Sequence, residues 1–131
     1  MWLWFHRLGS PPSFYPLAGR LMVWLAVPAA LLLLHGGYGA LVTAPADYQQ
    51  GEGYRIIFVH VPAAWMSLAA YSAMAVAAVI ALIWRMKVAE VFIVEAAVLG
   101  AGFTAVALAT GMLWGKPMWG AWWVWDARLT S

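Results

Sequence analysis

The sequence of 131 residues contains no cysteine and few charged residues. The absence of cysteine excludes disulfides, zinc–thiolate sites, iron–sulfur clusters and thiol nucleophiles. Charged residues make up 9% of the chain and hydrophobic residues 66%, whereas a typical soluble domain has about 25% charged residues. Such a chain has too little polar surface to cover itself, so we expect it to lie in a lipid bilayer.

Several functional motifs are also absent from the sequence. The basic residues form no run and the net charge is only +2, so nothing indicates nucleic-acid binding. No nucleophile stands beside a base, and there is no phosphate-binding glycine loop or nucleotide motif. We therefore do not expect an enzyme, and any energy for transport would have to come from a partner subunit.

Three apolar stretches are each long enough to cross the hydrocarbon core, which takes about 20 residues. Because backbone polar groups in lipid must be bonded internally, each stretch is expected to be helical. The sequence thus predicts an all-α integral membrane protein with three transmembrane helices, the first retained rather than cleaved as a signal. The sequence Ser10-Pro11-Pro12-Ser13 is expected to break any helix, which leaves a lead-in at 1–20. The other predicted divisions are helices at 21–42, 56–84 and 91–113, loops at 43–55 and 85–90, and a Trp-rich segment at 114–131.

The distribution of basic residues weakly favours one orientation in the membrane. The N-terminus would be cytoplasmic, and the 43–55 loop and the Trp-rich segment would both lie outside, which is the periplasm if the source is a Gram-negative bacterium. The residues assigned to the cytoplasmic side are Arg7, Arg20, Arg85 and Lys87, and those assigned outside are Arg55, Lys116 and Arg128.

Small residues recur within the second and third predicted helices. Alanine occupies every fourth position from Ala69 to Ala81, and Gly100 and Gly102 lie midway in the third helix. Small residues allow helices to approach closely in lipid, so we expect a tight contact between these two helices.

An ionisable residue lies inside the third predicted helix. Glu95 is a functional candidate because charges are costly in lipid. Near the cytoplasmic end, however, it could pair with Arg85 or Lys87, and Glu90 could do the same. We expect this pairing.

The C-terminal part of the chain is unusually rich in tryptophan. Five of the ten Trp residues fall within positions 114–125, interrupted by Gly and Pro residues that argue against a simple helix. One interpretation is a belt of indoles at the headgroup level. The other is a platform for a flat ligand, because aromatic pairs gain about 0.5–1.5 kcal/mol beyond area burial. The rings belong to Trp114, Trp119, Trp122, Trp123 and Trp125, and in a helical arrangement Asp126 would close the face formed by Trp119 and Trp122 or Trp123.

A histidine and two arginines are further candidates. His60 lies at the outer end of the second predicted helix, where it could bond to backbone or water, or serve as an axial ligand to haem iron. His35 and His6 are interpreted as structural. Arg55 and Arg128 could each bind a carboxylate through two hydrogen bonds, or anchor the chain at the interface.

Two sets of residues resemble a known family. The pattern Trp119-Gly120-x-x-Trp123-x-Trp125-Asp126 is similar to the WWD signature of haem-handling proteins, which alone indicates only a superfamily. Further stretches resemble the haem exporter protein C family of cytochrome c maturation system I, so that the resemblance covers nearly the whole chain. These stretches are 44–50, 54–56, 60–64, 114–120 and 122–131.

The resemblance implies a six-helix bundle of which this chain holds the first three helices, so we expect a fragment or a truncated reading frame. It implies that haem b binds at the outer face against the WWD segment, between two periplasmic histidines. The first histidine corresponds to His60, as the metal ligand, and the second lies in a later loop, beyond Ser131. The expected haem-binding residues are His60, Trp114, Trp119, Trp122, Trp123, Trp125 and Asp126, with Arg55 or Arg128 meeting the propionates.

The resemblance also implies a role and partners. The protein would present haem at the periplasmic face of the bacterial inner membrane and hand it to a membrane-anchored periplasmic haem chaperone. Its other partners would be a small single-helix subunit and an ABC transporter pair. Two alternatives remain open: a haem–apocytochrome c ligase or related assembly protein with a WWD segment, and a structural membrane subunit whose Trp cluster is only a belt.

Overall fold

The computed structural model describes residues 3–127, and most of that range is helical. A short helix, α1 (Leu3–Leu8), precedes three long ones, α2 (Pro11–Tyr38), α3 (Ile57–Trp84) and α4 (Lys87–Trp119). A π-helical turn (Gly39–Thr43) extends α2, and a 3₁₀ turn (Glu52–Ile56) leads directly into α3. The described residues contain no β-strand, so the predicted all-α architecture is confirmed.

Each of the three long helices is long and apolar enough to cross a bilayer. With the adjoining turns they form stretches of 33 residues, at Pro11–Thr43, Glu52–Trp84 and Lys87–Trp119. At about 1.5 Å per residue each stretch is about 50 Å long, which exceeds a hydrocarbon core about 30 Å thick. Each stretch contains one of the shorter spans predicted from the sequence, and the membrane boundaries themselves remain predictions.

Helix α2 begins within the residues predicted to be a non-helical lead-in. Proline is tolerated in the first turn of a helix, because an N–H there has no intrahelical acceptor. Pro11 and Pro12 therefore start α2, although the sequence suggested that they would prevent it. The break between α1 and α2 falls instead at Gly9 and Ser10, where the Ser10 hydroxyl donates to the Arg7 carbonyl at 2.8 Å.

Helices α3 and α4 form an antiparallel pair that makes most of the tertiary contacts. The turn between them is only two residues long, and Arg85 adopts a left-handed backbone conformation there, with φ at 51°. Small side chains lie where the helices meet, and the buried ones include Ala63, Ala77, Ala89, Ala96 and Gly100.

Gly100 is one of the closest points of this contact. A Cβ atom at Gly100 would lie 3.3 Å from the Ala70 Cβ and 3.6 Å from the Tyr71 ring, whereas one at Gly102 would meet nothing within 4 Å. The contact expected from the small residues is therefore confirmed at Gly100 and Ala77, while Gly102 faces away from it.

One hydrogen bond between side chains joins the two helices midway along their length. The Ser67 and Thr104 hydroxyl oxygens are 2.7 Å apart, and the Thr104 hydroxyl donates to the Gly100 carbonyl at 2.8 Å. Ser67 is therefore the donor to Thr104. Both hydroxyl protons are bonded within the protein, as a low-dielectric surrounding requires.

Helix α2 stands apart from this pair, since none of its residues, all of them described, is buried and its contacts with α4 are sparse. Arg55 connects the C-terminal end of α2 to α3. The Arg55 guanidinium donates from Nη1 to the Ala40 carbonyl at 2.6 Å and from Nη2 to the Ala44 carbonyl at 2.7 Å, and its Nε bonds the Glu52 carboxylate. Arg55 thus holds the chain where it returns from α2 to α3.

Charge pairing at the opposite end of α4 agrees with the prediction for Glu90 but not for Glu95. Lys87 donates to the Glu90 carboxylate at 2.8 Å, one helical turn away. Glu95 is exposed and forms no ion pair within residues 3–127. The expected pairing of Glu95 is therefore wrong, because Glu90 lies within reach of Lys87 and Glu95 is a further turn along.

We expect Gly100→Leu to destabilise the α3–α4 pair. The added side chain would displace Ala70 and Tyr71, and such overpacking typically costs about 1–3 kcal/mol. Gly102→Leu is the matched control, since its side chain would enter open space on the same helix. Thermal unfolding in detergent should show a lower midpoint for Gly100→Leu than for Gly102→Leu, and equal midpoints would contradict this packing.

Candidate functional site

A cavity of about 380 Å³ lies between α3 and α4 at the end of the pair where the Trp-rich segment begins. Helix α3 contributes residues 60, 64, 67 and 68 to its lining, and α4 contributes 104, 107, 108, 111 and 112. Both sets follow the spacing of a single helix face. Ligand pockets commonly have volumes of about 300–1,000 Å³ and mostly apolar walls with a few polar groups.

His60 is the ionisable residue among those that line the cavity. Its Nδ1 atom lies 2.9 Å from the Ala107 carbonyl oxygen and 3.0 Å from the Thr110 hydroxyl oxygen. A carbonyl oxygen cannot donate, so Nδ1 must be protonated and donate to Ala107. In the neutral ring Nε2 is then unprotonated, and no hydrogen bond to Nε2 is formed by residues 3–127. An imidazole nitrogen that carries no proton and has no hydrogen bond can act as a metal ligand or as a hydrogen-bond acceptor.

Gly111 provides the space that this histidine occupies. A Cβ atom at Gly111 would lie 3.2 Å from the His60 Cε1 atom, closer than most side chains tolerate. Gly111 also follows Ala107 by one helical turn, so a side chain there would crowd the approach to the Ala107 carbonyl. That carbonyl has two lone pairs and can accept from the Gly111 N–H and from His60 together.

The Trp-rich segment starts as helix and then folds back. Helix α4 continues through Trp114 to Trp119, and Gly120 ends it in a left-handed conformation with φ at 78°. Residues 121–126 are irregular, so the helical arrangement considered for 119–125 is not formed. Gly115 permits the return, since a Cβ there would lie 3.3 Å from the Ala121 carbonyl oxygen.

Four of the five clustered indoles line the cavity. Trp114 and Trp119 meet edge to face, with ring centroids 4.8 Å apart. The Trp114 Nε1 donates to the Gln50 side-chain oxygen at 3.0 Å, which joins the segment to the loop before α3. The other two lining rings are Trp122, with the Lys116 ammonium 5.9 Å from its centroid, and the half-buried Trp123.

The remaining predicted site residues lie away from the lining. Trp125 is 84% exposed and packs edge to face on Trp123 at 5.8 Å. Asp126 is half-buried, with its backbone N–H bonded to the Val124 carbonyl. The guanidinium of Arg55 is engaged by the loop, as described above. Arg128 lies outside the described residues.

The structure therefore brings His60 together with Trp114, Trp119, Trp122 and Trp123. Sequence reasoning missed Gly111, Thr110 and Gln50, which position two of these side chains. Nothing in their local sequence distinguishes them, because their role depends on which turn of α4 and which part of the loop face α3.

We expect His60 to be the Nδ1-protonated tautomer when neutral. In the chain labelled with ¹⁵N-histidine and held in nanodiscs at alkaline pH, the ring ¹⁵N shifts should assign the proton of neutral His60 to Nδ1. Thr110→Val tests the assignment, because Ala107 alone should still hold the proton on Nδ1. A proton on Nε2 would contradict the geometry.

Residues 4–131 match the family model CcmC, described as heme exporter protein C. Over 131 residues the chain is 53% identical to heme exporter protein C of Escherichia coli, covering 100% of this chain and 54% of the relative. It is 48% identical over 131 residues to heme exporter protein C of Haemophilus influenzae, covering 100% and 53%. Over 124 residues it is 48% identical to the protein of the same name from Bradyrhizobium diazoefficiens, covering 95% and 47%.

This chain therefore spans about half the length of the curated relatives that it matches. The matches nevertheless include nearly every residue of the chain, among them His60 and the whole Trp-rich segment. Because the family model and the relatives agree over this length, the chain belongs to the heme exporter protein C family.

Proposed function

We propose that this chain is the haem-binding half of a multi-pass inner-membrane protein of cytochrome c maturation. It presents haem b at the periplasmic face for transfer to a periplasmic haem chaperone. The observation that supports the proposal most is His60, whose Nδ1 is bonded to Ala107 and whose Nε2 is left for a metal, within a cavity lined by four indoles.

The residues present fit a haem group. A haem is flat and largely apolar, and its iron binds imidazole nitrogen. The cavity offers one imidazole nitrogen without a hydrogen bond, stacking surfaces from the indoles, and small or aliphatic residues from both helices. When bound, the haem supplies a redox-active iron.

Each residue in the proposal has a distinct task. His60 ligates the iron, and Ala107 and Thr110 hold its ring in orientation. Trp114, Trp119, Trp122 and Trp123 pack against the macrocycle and exclude water. Of the other two histidines, His35 is exposed on α2 and His6 lies on α1, so the proposal places the second axial ligand in the part of the relatives that this chain does not span.

The arginines enter the proposal differently from one another. Arg55 already donates to two carbonyls and to Glu52, so we assign it to holding the 43–55 loop rather than to a propionate. Arg128 stays a proposed propionate contact. Trp125 and Asp126 are proposed to support the rim of the site, Trp125 through its ring contact with Trp123.

The orientation and partners form the finer part of the proposal. The 43–55 loop and the Trp-rich segment lie at one end of the helices, as the bond between Gln50 and Trp114 requires, and we assign that end to the periplasm. The proposed partners are the haem chaperone, a small single-helix subunit and the ABC transporter pair, which supplies the energy.

The belt interpretation explains these indoles less well. A belt predicts rings that face the headgroups, which suits the exposed Trp125. It does not explain why Trp114 and Trp123 are half-buried against a cavity that also contains His60. The match to the heme exporter protein C family similarly favours haem presentation over the ligase alternative.

We expect His60→Ala to weaken haem binding. The chain purified in mild detergent and titrated with haem should develop a Soret band, because the site supplies one axial nitrogen and stacking surfaces. Loss of the ligand should reduce affinity by about tenfold or more and shift the band. His35→Ala is the matched control, since His35 is exposed on α2. An unchanged affinity and spectrum in His60→Ala would contradict the proposal, as would a wild-type chain that develops no band.

A further inference from the structure

The indole N–H of Trp123 is a buried donor without an acceptor. Its Nε1 atom is out of contact with solvent and forms no hydrogen bond within residues 3–127. Most buried polar atoms in proteins are bonded, and a buried donor left unpaired is unfavourable. An exception of this kind, at the wall of a cavity, calls for a physical reason.

Trp123 lines the cavity, and no group of residues 3–127 bonds its N–H. Two other polar groups of this region already have partners, since the Ser67 hydroxyl donates to Thr104 and the Gln50 side-chain oxygen accepts from Trp114. The unprotonated nitrogen of His60 is the atom that the proposed function assigns to iron. A molecule bound in the cavity can supply the acceptor.

The chemistry of the donor restricts what that group can be. Indole N–H is a donor only, so its partner must be an acceptor. On a haem the peripheral acceptors are the two propionates, and a hydrogen bond to a charged carboxylate is stronger than one between neutral groups. The chain from Gly120 to Asp126 is irregular, so the Trp123 ring can turn its N–H towards the cavity without breaking a helix.

We propose that the Trp123 Nε1–H donates a hydrogen bond to a carboxylate of the bound macrocycle, which makes Trp123 a positioning residue as well as a stacking surface. The inference rests on the proposed haem binding. It gives the cavity two fixed points, iron on His60 and a carboxylate on Trp123, and two points set the rotation of a flat ligand about its axis where stacking alone would not.

The test is a cycle of four affinities. The wild type and Trp123→Phe are each titrated with iron protoporphyrin IX, which has two carboxylates, and with iron octaethylporphyrin, which has none. We expect Trp123→Phe to weaken protoporphyrin binding about tenfold to a hundredfold, the range for losing a hydrogen bond to a charged group. Octaethylporphyrin binding should weaken much less, because only stacking area is lost.

Two further variants serve as controls. Trp65→Phe makes the same substitution on the exposed face of α3, outside the cavity lining, and should leave both affinities unchanged. Replacing the Trp123 indole by benzothiophene keeps the ring size but removes the N–H, so it separates the hydrogen bond from stacking. The ligand-free chain with benzothiophene should unfold at the same temperature as the wild type or higher, because an unpaired donor has been removed.

The outcomes separate this inference from the proposed function. Equal weakening for both porphyrins, or no weakening for either, would overturn the hydrogen bond while leaving haem binding intact. A lower unfolding temperature of the ligand-free benzothiophene chain would also overturn it, since the N–H would then have an acceptor within the protein. If the wild type bound neither porphyrin, the proposed function would fail and this inference with it.

Discussion

The hydrogen bond from His60 Nδ1 to the Ala107 carbonyl is the interaction on which the rest of the site depends. It joins α3 to α4 at 2.9 Å, determines the tautomer, and leaves the other ring nitrogen unprotonated. It requires a residue without a side chain at Gly111, one turn after Ala107, so that the imidazole can approach the helix backbone. In lipid an unbonded ring N–H would be unfavourable, and the bond therefore stabilises the helix pair as well as the site.

The Trp-rich segment shows how a helix end can be converted into a covered cavity. Helix α4 delivers Trp114 and Trp119 on a rigid element, and Gly120 then reverses the chain so that Trp122 and Trp123 return over the α3–α4 groove. Gln50, in the loop before α3, accepts a hydrogen bond from Trp114 and so fixes the loop to this segment. Arg55 in turn holds the loop through its bond to the Ala40 carbonyl. The candidate site thus lies at one end of the helices. Among the described residues, the opposite end carries packing contacts, the hydrogen bonds of Ser10 and the Lys87–Glu90 pair.

The sequence predicted the membrane architecture well, because hydropathy over about 20 residues reflects a single strong constraint. It also singled out His60 and four indoles that line one cavity in the structure, since their residue types are unusual where they stand. Their role in binding stays a prediction. The start of α2 at Pro11 differs from expectation, because the first turn of a helix tolerates proline. Glu95 also differs, since it forms no ion pair among the described residues and Glu90, one turn from Lys87, takes that partner. Gly111 and Thr110 could not be predicted, since their role follows from the register between α3 and α4, and that register is set by contacts such as Gly100 with Ala70.

The central claim, that His60 offers Nε2 to iron while Nδ1 stays bonded to Ala107, is tested most directly by hyperfine spectroscopy of the ferric haem complex. A chain whose only histidine is His60, obtained with His6→Gln and His35→Gln, would be labelled with ¹⁵N at Nε2 or at Nδ1 in separate preparations. The account predicts strong coupling of the iron spin to ¹⁵Nε2 and only weak coupling to ¹⁵Nδ1. Strong coupling to Nδ1, or none to either nitrogen, would contradict it.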